Sequence, residues 1–235
     1  MRQLTLLDDL ILPMRSEPLE ALDFLRVLRK DGVVIGTDEV GRGALAGPVV
    51  AAAVVLTSEQ ECELLELGLK DSKRLSPGKR EKIFWAMQSL GVKWHAFKGS
   101  PEMIDDENIQ NASLIVMRES VNRLAEDIDS VISCVIVDGI CEIPELKLPQ
   151  WTLIRADDLI PCVSAASIIA KVLRDMIMVK SSEKYPEYEF ENNKGYPTPR
   201  HIEKLKQTGM SEIHRRTFCR KFLVNVKGDD DDCLR

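Results

Sequence analysis

VVIGTDEVGRGALAGPVVAAAVVL, residues 33–56, places two apolar runs, 33–35 and 49–56, on either side of a glycine-rich turn. The runs are short and β-branched, which favours strands over helix. Gly41, Gly43, Gly47 and Pro48 break regular structure between them, so the expectation is an antiparallel hairpin. Asp38 and Glu39 stand close to the end of the first run. Charge at the end of a buried strand needs a partner or a metal ion, although solvated acids beside an ordinary hairpin fit this stretch equally well when it is taken alone. Arg42 lies between two glycines, where its guanidinium and the bare amides around it can face one anion.

The chain downstream adds to that pattern. SCVIVDG (133–139) and WTLIRAD (151–157) are strand-like, and they end in Asp138 and Asp157. In α/β sheets the strand ends are where sites collect, and carboxylates gathered there repel one another unless cations neutralise them. Leucines at 19, 22, 25 and 28 predict a helix between Pro18 and Gly32. Ser76-Pro77 caps a second helix with Ile83, Phe84 and Met87 facing the core. Residues 91–97 alternate as a strand, and 108–128 carry apolar residues at helical spacing. PCVSAASIIAKVLRDMIMVK (161–180) predicts a helix buried on most of its surface. Within it Lys171 either snorkels or reaches toward the acids, and Arg174-Asp175 reads as an exposed pair. The loop at Lys70–Arg74 sets Ser72 beside Lys73, a phosphate-holding combination or simply a solvated loop. Tyr196, between Gly195 and Pro197, falls in a loop where an aromatic is available for stacking.

Composition narrows the class. No apolar run approaches the ~20 residues of a membrane span, and MRQLTLLDDLILPMRS carries Asp8 and Asp9 where a signal peptide needs an apolar stretch. Six scattered cysteines without a C-x-x-C pair read as reduced thiols of a cytoplasmic protein, Cys134 and Cys162 among them as small core residues. The net charge of −6 argues against a polyanionic partner, but its distribution does not. Between Lys194 and Lys221 eight basic residues face two acids, which suits a nucleic acid held over metal ions, or a solvated helix face.

Taken in order, DEVGRGALAGPVVAAAV, the DSK loop, VDG at 137–139, RADDLIPCVSAASIIAKVLRD at 155–175, NKGYPTPRH at 193–201 and HRRTF at 214–218 resemble the type 2 ribonucleases H, specifically bacterial ribonuclease HII, over about residues 33–223. The resemblance implies a ribonuclease-H-like α/β fold, a mixed β-sheet flanked by helices with a C-terminal helical segment. It implies a type 2 ribonuclease H domain over 33–223 whose segment from about 185 binds substrate; the leucine spacing adds an N-terminal helical extension over 1–32 packed on that domain, and the charge pattern an acidic tail over 224–235. The family's catalytic and metal-binding carboxylates carry over onto Asp38, Glu39, Asp138 and Asp157. Its glycine-arginine-glycine element carries over onto Gly41, Arg42 and Gly43, and its junction-sensing tyrosine onto Tyr196. Lys73, Lys171 and Lys194 are further candidates for substrate contact. Oxygen ligands select two Mg²⁺ or Mn²⁺ ions over zinc.

The implied activity is hydrolysis of the RNA strand of RNA–DNA hybrids, and incision 5′ of single ribonucleotides in duplex DNA, by a monomer without a membrane partner. One departure is Arg155-Ala156, where the family usually has Lys-Gly; arginine keeps the charge and alanine restricts the backbone. Competing expectations are ribonuclease HIII, disfavoured by the short stretch before the first strand, a non-catalytic nucleic-acid-binding module, and a metal-dependent phosphohydrolase of small molecules.

Overall fold

The computed structural model describes residues 18–70 and 72–223, with side chains from Asp23 onward. The N-terminal apolar patch, Leu19 and Leu22, Asp71, Cys233 and the acidic run Asp229–Asp232 lie outside the described side chains.

The hairpin forms as expected. β1 (Val33–Val40) pairs antiparallel with β2 (Val49–Val55), Ile35 opposite Val55 and Val40 opposite Val50. β2 pairs antiparallel with β3 (Lys93–Gly99), while β4 (Ile132–Asp138) runs parallel to β1 and β5 (Gln150–Leu153) parallel to β4. The sheet order is β3-β2-β1-β4-β5, a mixed sheet in which helices lie between β1 and β4 in the chain, whereas β4 reaches β5 through the helix-free connection 139–149.

Helices cover both faces. In chain order they are α1 (Pro18–Leu28), α2 (Ser58–Glu66), α3 (Pro77–Ser89), α4 (Pro101–Glu126), α5 (Ala156–Leu159), α6 (Pro161–Lys184), α7 (Phe190–Asn193), α8 (Pro199–Thr208) and α9 (Arg216–Leu223). Residues of alternating parity on β1 and β2 divide between two cores. Val34, Val50, Ala52 and Val54 pack with α6 and α3, whereas Ile35, Val49, Ala51 and Ala53 pack with α4. The alanine run is therefore buried on both sides. Gly36 lets α6 lie directly on β1, since a Cβ there would fall 2.5 Å from the Cys162 carbonyl carbon. Phe24, Leu25 and Leu28 seat α1 on the α6 face, and Ile83, Phe84 and Met87 of α3 are buried as the sequence predicts.

Three expectations need correction. The run 151–157 is not one strand: β5 ends at Leu153, Arg155 turns the chain at φ 60°, and Asp157 sits in the first turn of α5. The helix expected from residue 108 begins at Pro101 behind a Ser100 cap, and is broken at Asn108 (φ 63°, ψ 163°). The Asn108 Oδ1 then accepts from the amides of Gln110 and Asn111 at 2.9 and 3.1 Å, recapping the second half. Finally, Arg174 is not exposed but fully buried, because its guanidinium is saturated by backbone carbonyls, as described next.

Candidate active site

The parallel register of β1 and β4, with Thr37 opposite Val137, sets Asp38 and Asp138 at the same end of neighbouring strands. The α5 turn adds Asp157, and carboxylate oxygens of these three residues all lie within 4.8 Å of one another. Asp138 Oδ1 accepts the Ala156 amide at 2.7 Å, which fixes the α5 turn against β4. The backbone at the Lys-Gly replacement is unstrained at position 156: Arg155 carries the positive φ, and Ala156 is helical and buried.

The cluster is electrostatically unfavourable as it stands. Burial, and then Glu39 and Asp138, push the Asp38 carboxyl well above its ordinary value. Asp38 Oδ1 accepts the Glu39 amide at 2.7 Å, yet the buried Oδ2 has no hydrogen-bond partner. The Ser167 hydroxyl eases the charge without meeting the geometry of a hydrogen bond to it. Burial and Asp157 push Asp138 up to about 6. Lys73, on a single turn of 3₁₀ helix at Ser72–Arg74, reaches Asp157 Oδ2 at 3.3 Å. That turn is tethered beside the site, because buried Ser72 and Ser167 hydroxyls meet at 2.8 Å. Arg80 holds the Ser72 and Leu75 carbonyls at 2.8 and 2.5 Å.

Glu39 stands beside the three aspartates rather than among them. Burial raises its carboxyl, and Arg42 offsets part of that shift through a 3.1 Å ion pair. Arg42 also donates to Gln110 Oε1 at 2.5 Å. A cavity of about 310 Å³ lies here, lined by Glu39, Arg42, Gln110, Ser113, Asp138 and Ile140.

The glycine-rich turn is held from outside. Arg174 of α6 donates to the carbonyls of Pro48, Lys194 and Ala46 at 2.9, 2.9 and 3.2 Å. Arg215 donates to Gly47 O through Nε and Nη2 at 3.0 and 2.9 Å, and to Arg42 O at 2.9 Å. Both arginines are fully buried. Gly41 has φ 104°, and a Cβ there would lie 2.3 Å from Arg174 Nε, so its freedom serves the clasp. Gly43 is exposed, with open space around it. Tyr196 lies with its ring over Arg174 Cζ at 5.0 Å and Lys171 Nζ at 5.6 Å.

Lys171 does not reach the acids; it pairs with Asp175 at 2.7 Å, the carboxylate nearest along its own helix. Lys194 turns the chain at φ 51°, gives its carbonyl to Arg174, and donates its ammonium to the Glu191 carbonyl. Sequence reasoning missed Arg174, Arg215 and Gln110. The arginines' partners are main-chain oxygens up to 173 positions away, and Gln110 accepts from Arg42 across 68 positions; no spacing rule exposes such contacts.

The sequence model of one family, described as ribonuclease HII, matches residues 35–221. The chain belongs to the ribonuclease HII family. The ribonuclease HII of Idiomarina loihiensis is 42% identical over 196 residues, which cover 83% of this chain and 100% of that one. Among solved structures, the PCNA:RNase HII complex from Archaeoglobus fulgidus matches with 30% identity and a TM-score of 0.68, over 86% of this chain and 100% of that one. The ribonuclease H2 of Pyrococcus horikoshii matches with 30% identity and a TM-score of 0.62, over 81% and 97%. Ribonuclease HII membership makes the chain a metal-dependent endoribonuclease of the hydrolase class. Among the described residues no helix is long and apolar enough to cross a membrane.

Proposed function

We propose that this ribonuclease HII cleaves the RNA strand of RNA–DNA hybrids and also cuts 5′ of single ribonucleotides embedded in duplex DNA, leaving 3′-hydroxyl and 5′-phosphate ends. The observation that supports the chemistry is the three-aspartate cluster with a buried, unpartnered Asp38 oxygen. Such an atom forfeits hydration without compensation unless a cation or donor arrives. The donor set is all oxygen, which fits Mg²⁺ or Mn²⁺. Asp38, Glu39, Asp138 and Asp157 would hold two such ions, with Asp38 shared.

When bound, divalent ions supply an activated water and neutralise the departing 3′ oxygen. The residues of the chain do the rest. Asp138 keeps the α5 turn in place through the Ala156 amide, so that Asp157 meets Asp38 at a fixed separation. The amides and carbonyls at 41–43 approach the ribose 2′-hydroxyl, which distinguishes RNA from DNA, and Gly43 offers no side chain to block it. Arg42 grips the adjacent phosphate, and Tyr196 stacks on the deoxyribose across the junction. Lys73, beside Asp157, and Lys194, on the Glu191 carbonyl, would exchange these partners for the phosphate backbone. The enzyme works as a cytoplasmic monomer.

Cleavage of labelled duplexes in Mg²⁺ or Mn²⁺ tests this reading. A uniform RNA strand and a lone ribonucleotide are both expected to be cut. Near-normal turnover by Asp38→Asn overturns the metal assignment, and indifference to Tyr196→Ala on the lone ribonucleotide overturns the sensor.

A further inference from the structure

His201 in α8 and His214 in the strap before α9 are buried, at 0% and 3% exposure, and their Nε2 atoms lie 3.0 Å apart. The donors around them fix the protons. The Ser211 amide can only donate, and it meets His214 Nδ1 at 3.0 Å, so that nitrogen accepts and the His214 proton is on Nε2. His214 Nε2–H therefore donates to His201 Nε2. His201 is left with its proton on Nδ1, which donates to the Tyr196 carbonyl at 2.9 Å. Four groups thus form one directed chain, from the Ser211 amide through both rings to the Tyr196 backbone. The rings pack against Tyr188, 4.6 Å from His214, and Phe190, 5.5 Å from His201.

The two ends of this chain belong to opposite halves of the proposed junction reader. On the His214 side the strap is stitched to the glycine-rich turn. Ala46 bridges His214, Gly47 N donates to Ile213 O at 2.8 Å, and Arg215 N donates to Leu45 O at 2.8 Å. Arg215 also holds the Arg42 carbonyl. On the His201 side sits the carbonyl of Tyr196, which also accepts the Thr198 amide at 2.8 Å.

We infer that His201 and His214 are positioning residues that set the separation between Arg42 and the Tyr196 ring, and thereby the preference for an RNA-to-DNA junction over a uniform RNA strand. This rests on the reading of Tyr196 as the deoxyribose sensor. Neither histidine touches substrate.

The test is the ratio of kcat/KM on a duplex with one ribonucleotide to that on a hybrid with an all-RNA strand. Measured alongside wild type are Tyr196→Ala, His214→Asn and His214→Gln. Asparagine keeps an acceptor for the Ser211 amide but is too short to donate to His201, whereas glutamine reaches with an amide donor. The expected result is a roughly tenfold fall in the ratio for His214→Asn, short of the ~100-fold that a misplacement of about 1 Å can cost, with the ratio largely kept in His214→Gln. Side-chain ¹⁵N NMR of the wild-type protein is expected to show His214 protonated on Nε2 and coupled across the hydrogen bond to His201.

An unchanged ratio in His214→Asn while Tyr196→Ala lowers it overturns the inference and spares the sensor reading. An equal fall in both His214 variants overturns it as well, since packing alone then explains the loss. A ratio untouched by Tyr196→Ala overturns the sensor reading itself and the inference with it.

Discussion

At Asp38 a carboxylate is buried among acids, and the direction of its shift predicts how the free protein behaves. A carboxyl whose folded value exceeds its unfolded value binds its proton more tightly in the native state. Native stability is therefore lost as pH rises from the unfolded value through the raised folded one, and at neutral pH the ionised cluster opposes folding. Asp38→Asn is expected to raise the melting temperature in chelator, because it removes the buried charge whose ionisation opposes folding, while abolishing cleavage. A lower melting temperature in chelator would contradict this. The glycines separate in the same way: Gly41→Ala is expected to cost ~2 kcal/mol or more in urea unfolding because of its φ and the Arg174 clash. Gly43→Ala is expected to remain within about 0.5 kcal/mol of wild type, its loss appearing only in cleavage of substrates with a ribose at the site. Asp38 and Asp138 were legible in the sequence because an acid after a β-branched run is rare, whereas Asp157 reads as the end of a strand that in fact stops at Leu153, and lies on the following helical turn. Arg174 was not legible, since an arginine next to an aspartate in a helix reads as a surface pair until its carbonyl partners are known.

Among the elements, α6 does the most to build the site, packing along β1 at Gly36 and sending Arg174 under the glycine-rich turn. Arg174→Met removes a donor from three carbonyls, and its expected cost is about 3–5 kcal/mol, the range for breaking a buried charged interaction, with activity falling on every substrate. Equal stability of the variant and wild type in urea would show the clasp to be dispensable. The hairpin, β4 and α6 were legible because apolar periodicity and length agree there. The run 151–157 misled because Arg155-Ala156 interrupts no apolar pattern, and the left-handed turn at Arg155 has no glycine to announce it. The Asn108 break was half legible: asparagine marks a helix start, but the turn of helix before it has its own cap at Ser100.

For the molecule as a whole, pH and salt report on different parts. Burial and His201 push His214 down to about 4, and burial lowers His201 as well. Depressed histidines leave the native state without protons that the unfolded chain takes up, so stability is full above about 6.5 and declines as pH falls toward 4. His214→Gln, lacking one titrating ring, is expected to show a shallower fall in melting temperature across that window; an identical profile would contradict it. Salt reports on the phosphate contacts instead: replacing Lys73 with alanine is expected to reduce the slope of log affinity against log salt by about 1. The basic count at 194–221 overstated the free charge, because Arg215 is buried on carbonyls. That same arginine has a consequence for synthesis. The turn at 41–48 leaves the ribosome early but cannot settle until residues 174 and 215 arrive to grip it, so a nascent chain carries its acids long before it can use them. Cutting competence comes with the late part of the chain, and fragments halted before that point are expected to be harmless to nucleic acid.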